Sequence, residues 1–109
     1  MNRVLNLLSM ARRAGRVEPG FDASVAAAKT GKAALLLAAE DISEKTYKNL
    51  RFEAERAGIP AARLKTGIDA LGRACGVRAG VLAVTDQGFA RAVLAELEKT
   101  EIEKEDNSL

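Results

Sequence analysis

Histidine and tryptophan are absent from this 109-residue chain, which has one tyrosine, three phenylalanines, two prolines and one cysteine. Without histidine there is no imidazole for acid–base work near neutral pH, no histidine metal ligand and no Ser-His or Cys-His nucleophile. One thiol can neither close a disulfide within the chain nor build a thiolate metal site. It fits a reducing compartment, so the expected location is cytoplasmic. Cys75 falls on the apolar side of a predicted helix, where a small buried hydrophobe is the ordinary reading and a nucleophile the exception.

Long hydrophobic runs are also missing, and none approaches the roughly 18 residues a membrane span needs. Residues 1–10 superficially resemble a secretion signal. However, Asn6 and Ser9 interrupt the run and Arg12-Arg13 stand where a small-residue cleavage site belongs, so an amphipathic helix and no membrane partner are expected. Phosphate-loop fingerprints fail as well: neither GxxxxGK(S/T) nor GxGxxG occurs, and Gly31-Lys32 follows a helical pattern rather than a strand.

Leucine, valine and alanine must therefore build the core of a chain long enough for one domain but not for a catalytic domain with a second module. The formal net charge of +2 conceals an asymmetry. Residues 1–95 carry 15 bases and 9 acids, residues 96–109 only 2 bases and 6 acids. A basic body with an acidic end is compatible with phosphate-bearing partners without requiring them. The expected organisation is one domain over residues 1–98 followed by an acidic, disordered tail over 99–109.

Val4, Leu7, Leu8 and Ala11 recur at helical spacing and predict a first helix over about 2–14, closed at Gly15. A short strand at Arg16-Val17-Glu18 follows, and Pro19-Gly20 turns into a second helix over about 21–30, closed at Gly31. The run 33–39 is apolar without alternation and too short for a core helix, which is how a strand covered on both faces reads. Asp41 with Glu44 has capping-box spacing ahead of a third helix with Tyr47, Leu50, Ala54 and Ala57, ending at Gly58. A weak strand at 61–65 precedes a short helix, with Thr66 and Asp69 again at capping spacing and Gly76 as its stop. Val81–Val84 reads as a second buried strand, and Asp86 or Thr85 starts a last helix with Phe89, Val93 and Leu97 inward. This alternation predicts a three-layer α/β/α sandwich around a small mixed sheet of about four strands.

Three features could carry chemistry. Glu40-Asp41 ends a buried strand, where α/β proteins place ligands, so it suits Mg²⁺ or a hydroxyl; the simpler reading is that Asp41 caps the next helix and Glu40 offsets nearby arginines. Gly20-Phe21-Asp22 opens a helix whose free N–H groups favour an anion, with Arg12, Arg13 and Arg16 just upstream. Asp22 opposes a phosphate there, but can accept from a guanine edge or simply complement the helix dipole. The arginines read equally well as a solvated surface or as phosphate contacts. The loop Gly76-Val77-Arg78-Ala79-Gly80 reads most simply as a connection.

Together, Ala11-Arg12-Arg13-Ala14-Gly15-Arg16, Gly20 with Gly31, Leu35 to Asp41, and Leu71-Gly72-Arg73-Ala74-Cys75-Gly76 closely resemble the kink-turn RNA-binding ribosomal-protein superfamily of L-seven-Ae and L-thirty-e type, in its bacterial YlxQ-like branch. The resemblance covers about residues 3–97. It implies structured RNA, ribosomal or other non-coding, bound by the start of the second helix and the loop before the last strand. In the family's best kink-turn binders an Asn, a Glu and a Lys read tandem sheared G·A pairs. The matching positions here are Asp22, Ala23 and Ala26, after Gly20 and Phe21. The loop that covers a protruding base maps to Val77, Arg78 and Ala79.

The resulting expectation is a non-catalytic, monomeric RNA-binding protein without cofactor or metal, associated with ribosome or ribonucleoprotein components. Arg12, Arg13, Arg16, Lys29 and Lys32 would contact the RNA backbone. A protein-interaction module on the same fold, or an accessory RNA-recognition domain of an RNA-modifying enzyme, are the alternatives.

Overall fold

Helix and strand alternate through the chain as α1 (Arg3–Arg13), β1 (Val17–Pro19), α2 (Phe21–Lys29), β2 (Leu35–Ala38), α3 (Glu44–Ala57), β3 (Ala61–Arg63), α4 (Ile68–Cys75), β4 (Val81–Val84) and α5 (Gln87–Ser108). The computed structural model describes the backbone of residues 3–76 and 78–108, and side chains among these as far as Lys99. The four strands form one mixed sheet in the order β1-β4-β2-β3. β4 runs antiparallel to both β1 and β2, and β2 runs parallel to β3.

Period-two alternation sorts the sheet's side chains between two cores. Leu35, Leu37, Leu82 and Val84 point into a cluster closed by Val4, Leu8 and Ala11 of α1, Leu71 and Cys75 of α4, and Ala90 and Val93 of α5. Leu36, Ala38, Val81 and Ala83 point the other way, onto Ala27 and Ala28 of α2 and Leu50 and Ala54 of α3. β2 and β4 are buried at every position, as a strand covered on both faces must be. The expected three-layer sandwich is the observed one. Each fully buried leucine contributes on the order of 1.5–3 kcal/mol, so the leucine-rich pair β2–β4 is the energetic centre in place of aromatics.

Helix ends follow the glycines: Gly15, Gly31, Gly58 and Gly76 all have φ between 72° and 78°. Helix starts differ from expectation. Ser43, not Asp41, caps α3, its Oγ accepting from the Thr46 N–H at 3.1 Å. Asp41 instead reaches a helix farther along the chain, where its Oδ1 accepts from the Ile68 N–H of α4 at 3.0 Å. Thr66 is not the cap, because Gly67 holds the cap position ahead of Ile68 and α4 takes its acceptor from this distant carboxylate. Of the two residues expected at α5, Asp86 is the cap, its Oδ2 accepting from the Phe89 N–H at 2.8 Å. The helical backbone of α5 runs to Ser108, past the Glu98 boundary at which the sequence places the start of the acidic tail.

Candidate nucleic-acid interface

Because β4 runs against its neighbours, one end of the sandwich collects the finish of β1, β2 and β3 and the approach to β4. At this upper end the Gly20 N–H donates to the Val81 carbonyl at 2.7 Å, and the Ala39 N–H donates to the Gly80 carbonyl at 2.7 Å. The Glu40 N–H donates to the Thr66 carbonyl at 2.8 Å. The start of α2, the β2–α3 loop, the start of α4 and the loop before β4 are therefore neighbours, as the sequence reading of Gly20 and of the 76–80 loop required. A Cβ at Gly80 would displace the tip of the Ile42 side chain, so the loop packs directly on that residue.

Gly20 holds φ 102° and ψ 151°, a conformation open essentially to glycine. Having no side chain, it leaves the first turn of α2 without a side-chain cap. In contrast, α3 is capped by Ser43, α4 by Asp41 and α5 by Asp86. The Phe21, Asp22 and Ala23 N–H groups thus have no side-chain acceptor from the cap residue, at the positive end of a helix dipole. Asp22 and Ala26 are exposed on the outer stripe of α2, Ala23 is half-buried, and Phe21 packs inward against the α2–α3 core. Nearby, Arg78 pairs with Asp69 at 3.0 Å, both side chains about three-quarters exposed. Such a pair is worth at most about 1 kcal/mol, so Arg78 can readily change partners. Ala79 is half-buried beside it, and Val77 lies outside the described residues.

The basic residues expected to share this surface do not. Val17 pairs with Val84 and with it lines up Leu35, and the Thr85 N–H donates to the Arg16 carbonyl at 2.9 Å, so Arg16 sits at the lower end of the sheet. β1 crosses the sheet between Arg16 and Gly20, about 13 Å of extended backbone. Arg12 and Arg13 are in the last turn of α1, which leads into that lower end; Lys29 is in the last turn of α2, and Lys32 precedes β2. All five are exposed. The structure therefore brings Gly20, Phe21, Asp22, Ala23, Arg78 and Ala79 together at one end, with Ala26 midway along α2, and gathers Arg13, Arg16, Lys29 and Lys32 at the other. Arg12 turns from that lower cluster toward the end of α4.

Two residues that sequence reasoning passed over join the lower cluster. Arg56, in the last turn of α3, lines an open hollow of about 520 Å³ with Lys29, Gly31 and Glu53. Its guanidinium lies 5.7 Å from the ring of Phe52, which is 56% exposed. Their four-residue separation within a helical stripe was the available signal.

Other candidates have structural occupations. Burial pushes the Cys75 thiol up and the Arg12 guanidinium pulls it back in part, so the sulfur is held protonated. Asp41 is engaged at α4, and Glu40 is exposed and forms no ion pair with any arginine among the described residues. Among the described residues no three His, Cys, Asp or Glu side chains gather as a metal site, and no helix is long and apolar enough to cross a membrane.

The model of the ribosomal protein L7Ae/L30e/S12e/Gadd45 family matches residues 2–94. The chain is 34% identical over 93 residues to the RNA-binding protein YlxQ of Bacillus subtilis (strain 168), covering 84% of this chain and 92% of that protein. It is 27% identical over 89 residues to the RNA-binding protein YlxQ of Enterococcus faecium, covering 82% and 85% respectively. Among solved structures, a protein of unknown function from Bacillus halodurans superposes with a TM-score of 0.85 at 29% identity, covering 90% of this chain and 99% of that one. The Giardia lamblia 15.5kD RNA binding protein superposes with a TM-score of 0.68 at 25% identity, covering 90% and 84%.

Proposed function

Because the chain belongs to the ribosomal protein L7Ae/L30e/S12e/Gadd45 family, we propose that it is a non-catalytic RNA-binding protein of the cytoplasm, acting with the ribosome or another ribonucleoprotein. Its RNA is structured and kink-turn-like, met by the upper end of the sandwich. The observation that carries this reading is the uncapped start of α2, whose first three N–H groups have no side-chain cap and which lies beside the loop bearing Arg78. Backbone donors at a helix start suit a phosphate or a base edge, and Arg78 gains more from phosphate than from its exposed partner Asp69. Residues 1–98 form the RNA-binding domain, and 99–109 an acidic appendage not needed for it. The protein acts as a monomer.

Base reading is weaker than in a protein bearing the Asn, Glu and Lys triad, since Ala23 and Ala26 present only methyl groups and Asp22 accepts but does not donate. Affinity for a kink-turn is therefore expected to be micromolar or weaker, with marked salt dependence. Titrating a kink-turn RNA and a straight duplex of equal length, at low and moderate salt, tests the reading. Tighter binding to the kinked RNA supports it; equal binding of both, or binding of neither, refutes it.

A further inference from the structure

We propose that the lower end of the sandwich, opposite the start of α2, is a second RNA-binding surface that grips the phosphate backbone of a separate duplex segment. The proposal rests on the reading of this chain as an RNA-binding protein, but it concerns a different face from the one treated above. Arg13, Arg16, Lys29, Lys32 and Arg56 lie at that end, on three helices and two strand entrances, and Lys29 and Arg56 line one hollow with Glu53. The ion pairs among the described residues engage Arg3, Arg63 and Arg78 instead, so these five cations have no carboxylate partner among those residues. Of the acids at this end, Asp86 is turned to cap α5, leaving Glu53 and Glu55 of α3 against five positive charges.

Complementing helix dipoles is the competing explanation, because α1, α2 and α3 all finish here. Each helix end carries only about half a negative charge, and that accounts for basic residues in last turns. It does not account for Arg16 and Lys32, which lie beyond the helices where the chain enters β1 and β2. The excess is a surplus of full charges on one exposed surface, and a polyanion is the partner that matches it. The upper end has no such surplus. Asp22, Glu40, Asp41, Glu44 and Asp69 lie there against Lys45, Arg63, Lys65, Arg73 and Arg78, as many acids as bases. The two ends face away from each other across the sheet, so a rigid duplex seated on one cannot touch the other, and the protein can join two RNA segments.

The experiment compares the wild type with the variant Arg13→Gln, Arg16→Gln, Lys29→Gln, Lys32→Gln, all exposed positions changed to a good helix former. The probe is a perfectly paired RNA duplex, which offers the upper end no unpaired base. The wild type should bind it, and the variant should bind at least about tenfold more weakly at 0.1 M salt. The slope of log K against log salt should flatten by about 3, since each lost phosphate contact removes about 0.7–0.9. Native mass spectrometry of the wild type with the duplex and a kink-turn RNA should give a ternary complex that the variant does not form, while the variant still binds the kink-turn. An unchanged slope and affinity, or loss of the kink-turn along with the duplex, overturns the inference. A wild type that binds the kink-turn but not the duplex overturns it too, returning this end to dipole compensation or a protein partner. If the wild type binds the duplex but not the kink-turn, the function proposed above fails and the backbone-binding surface stands.

Discussion

Replacing Gly20 by alanine isolates one backbone conformation from everything around it. At φ 102° and ψ 151° an L-residue costs about 1–3 kcal/mol, while nothing lies within 4 Å of the new Cβ, so neither a clash nor a packing gain enters. Loss of unfolded-state freedom returns about 0.4–1 kcal/mol. The net loss is on the order of 1.5 kcal/mol, which for a domain of this size lowers Tm by roughly 5–10 °C. Urea unfolding should show a lower midpoint at unchanged slope, because the surface exposed on unfolding is the same. D-alanine at the same position, introduced by chemical ligation, is the decisive control. Its mirror-image preference relieves the φ strain at +102°, so it should destabilise less than L-alanine. A Tm within 1 °C of wild type for L-alanine, or equal destabilisation by the two enantiomers, would refute the reasoning.

Restoring Asp22→Asn, Ala23→Glu and Ala26→Lys together should raise affinity for a kink-turn more than tenfold, since each good polar base contact is worth roughly 1–3 kcal/mol and Asp22 and Ala26 are exposed; an unchanged Kd in a folded triple variant would mean the start of α2 is used differently. Asp41→Ala should cost about 0.5–2 kcal/mol in urea unfolding by removing the acceptor from the Ile68 N–H, and Asp41→Asn should recover most of it; equal losses would show that the charge rather than the cap matters. Deleting residues 99–109 should leave Tm within about 2 °C, because the inward stripe of α5 reaches the core at Leu97, and should strengthen RNA binding at low salt by removing acidic charge; a large fall in Tm or unchanged low-salt binding would reject this.

Local rules located the elements well. Two uninterrupted apolar runs announced β2 and β4, and glycines marked where α1, α2, α3 and α4 stop, because both signals are carried by a few adjacent residues. The caps were less legible. Asp41 stands at capping distance from Glu44, yet its carboxylate serves Ile68, and no local spacing encodes a contact formed by folding. The grouping of the candidate site residues was hard to read for the same reason. Arg12, Arg13 and Arg16 are near Gly20 along the chain, which suggested one surface, but the intervening residues are a strand. A strand separates its two ends by the height of the sheet. The short strand predicted at Arg16–Glu18 already implied that separation.

The order β1-β4-β2-β3 gives the last strand a duty the first two cannot perform for each other. β1 and β2 never pair; β4 lies between them, with Val17 and Leu35 both opposite Val84. During synthesis, a nascent chain that has emerged only as far as α4 owns β1 with no partner and a β2 covered along one edge by β3 alone. The domain therefore closes late, when Val81–Val84 slides between strands made long before. A stop codon between α4 and β4 yields a fragment with the leucine-rich edge of β2 open to solvent, a substrate for proteases and chaperones and not a smaller version of the protein.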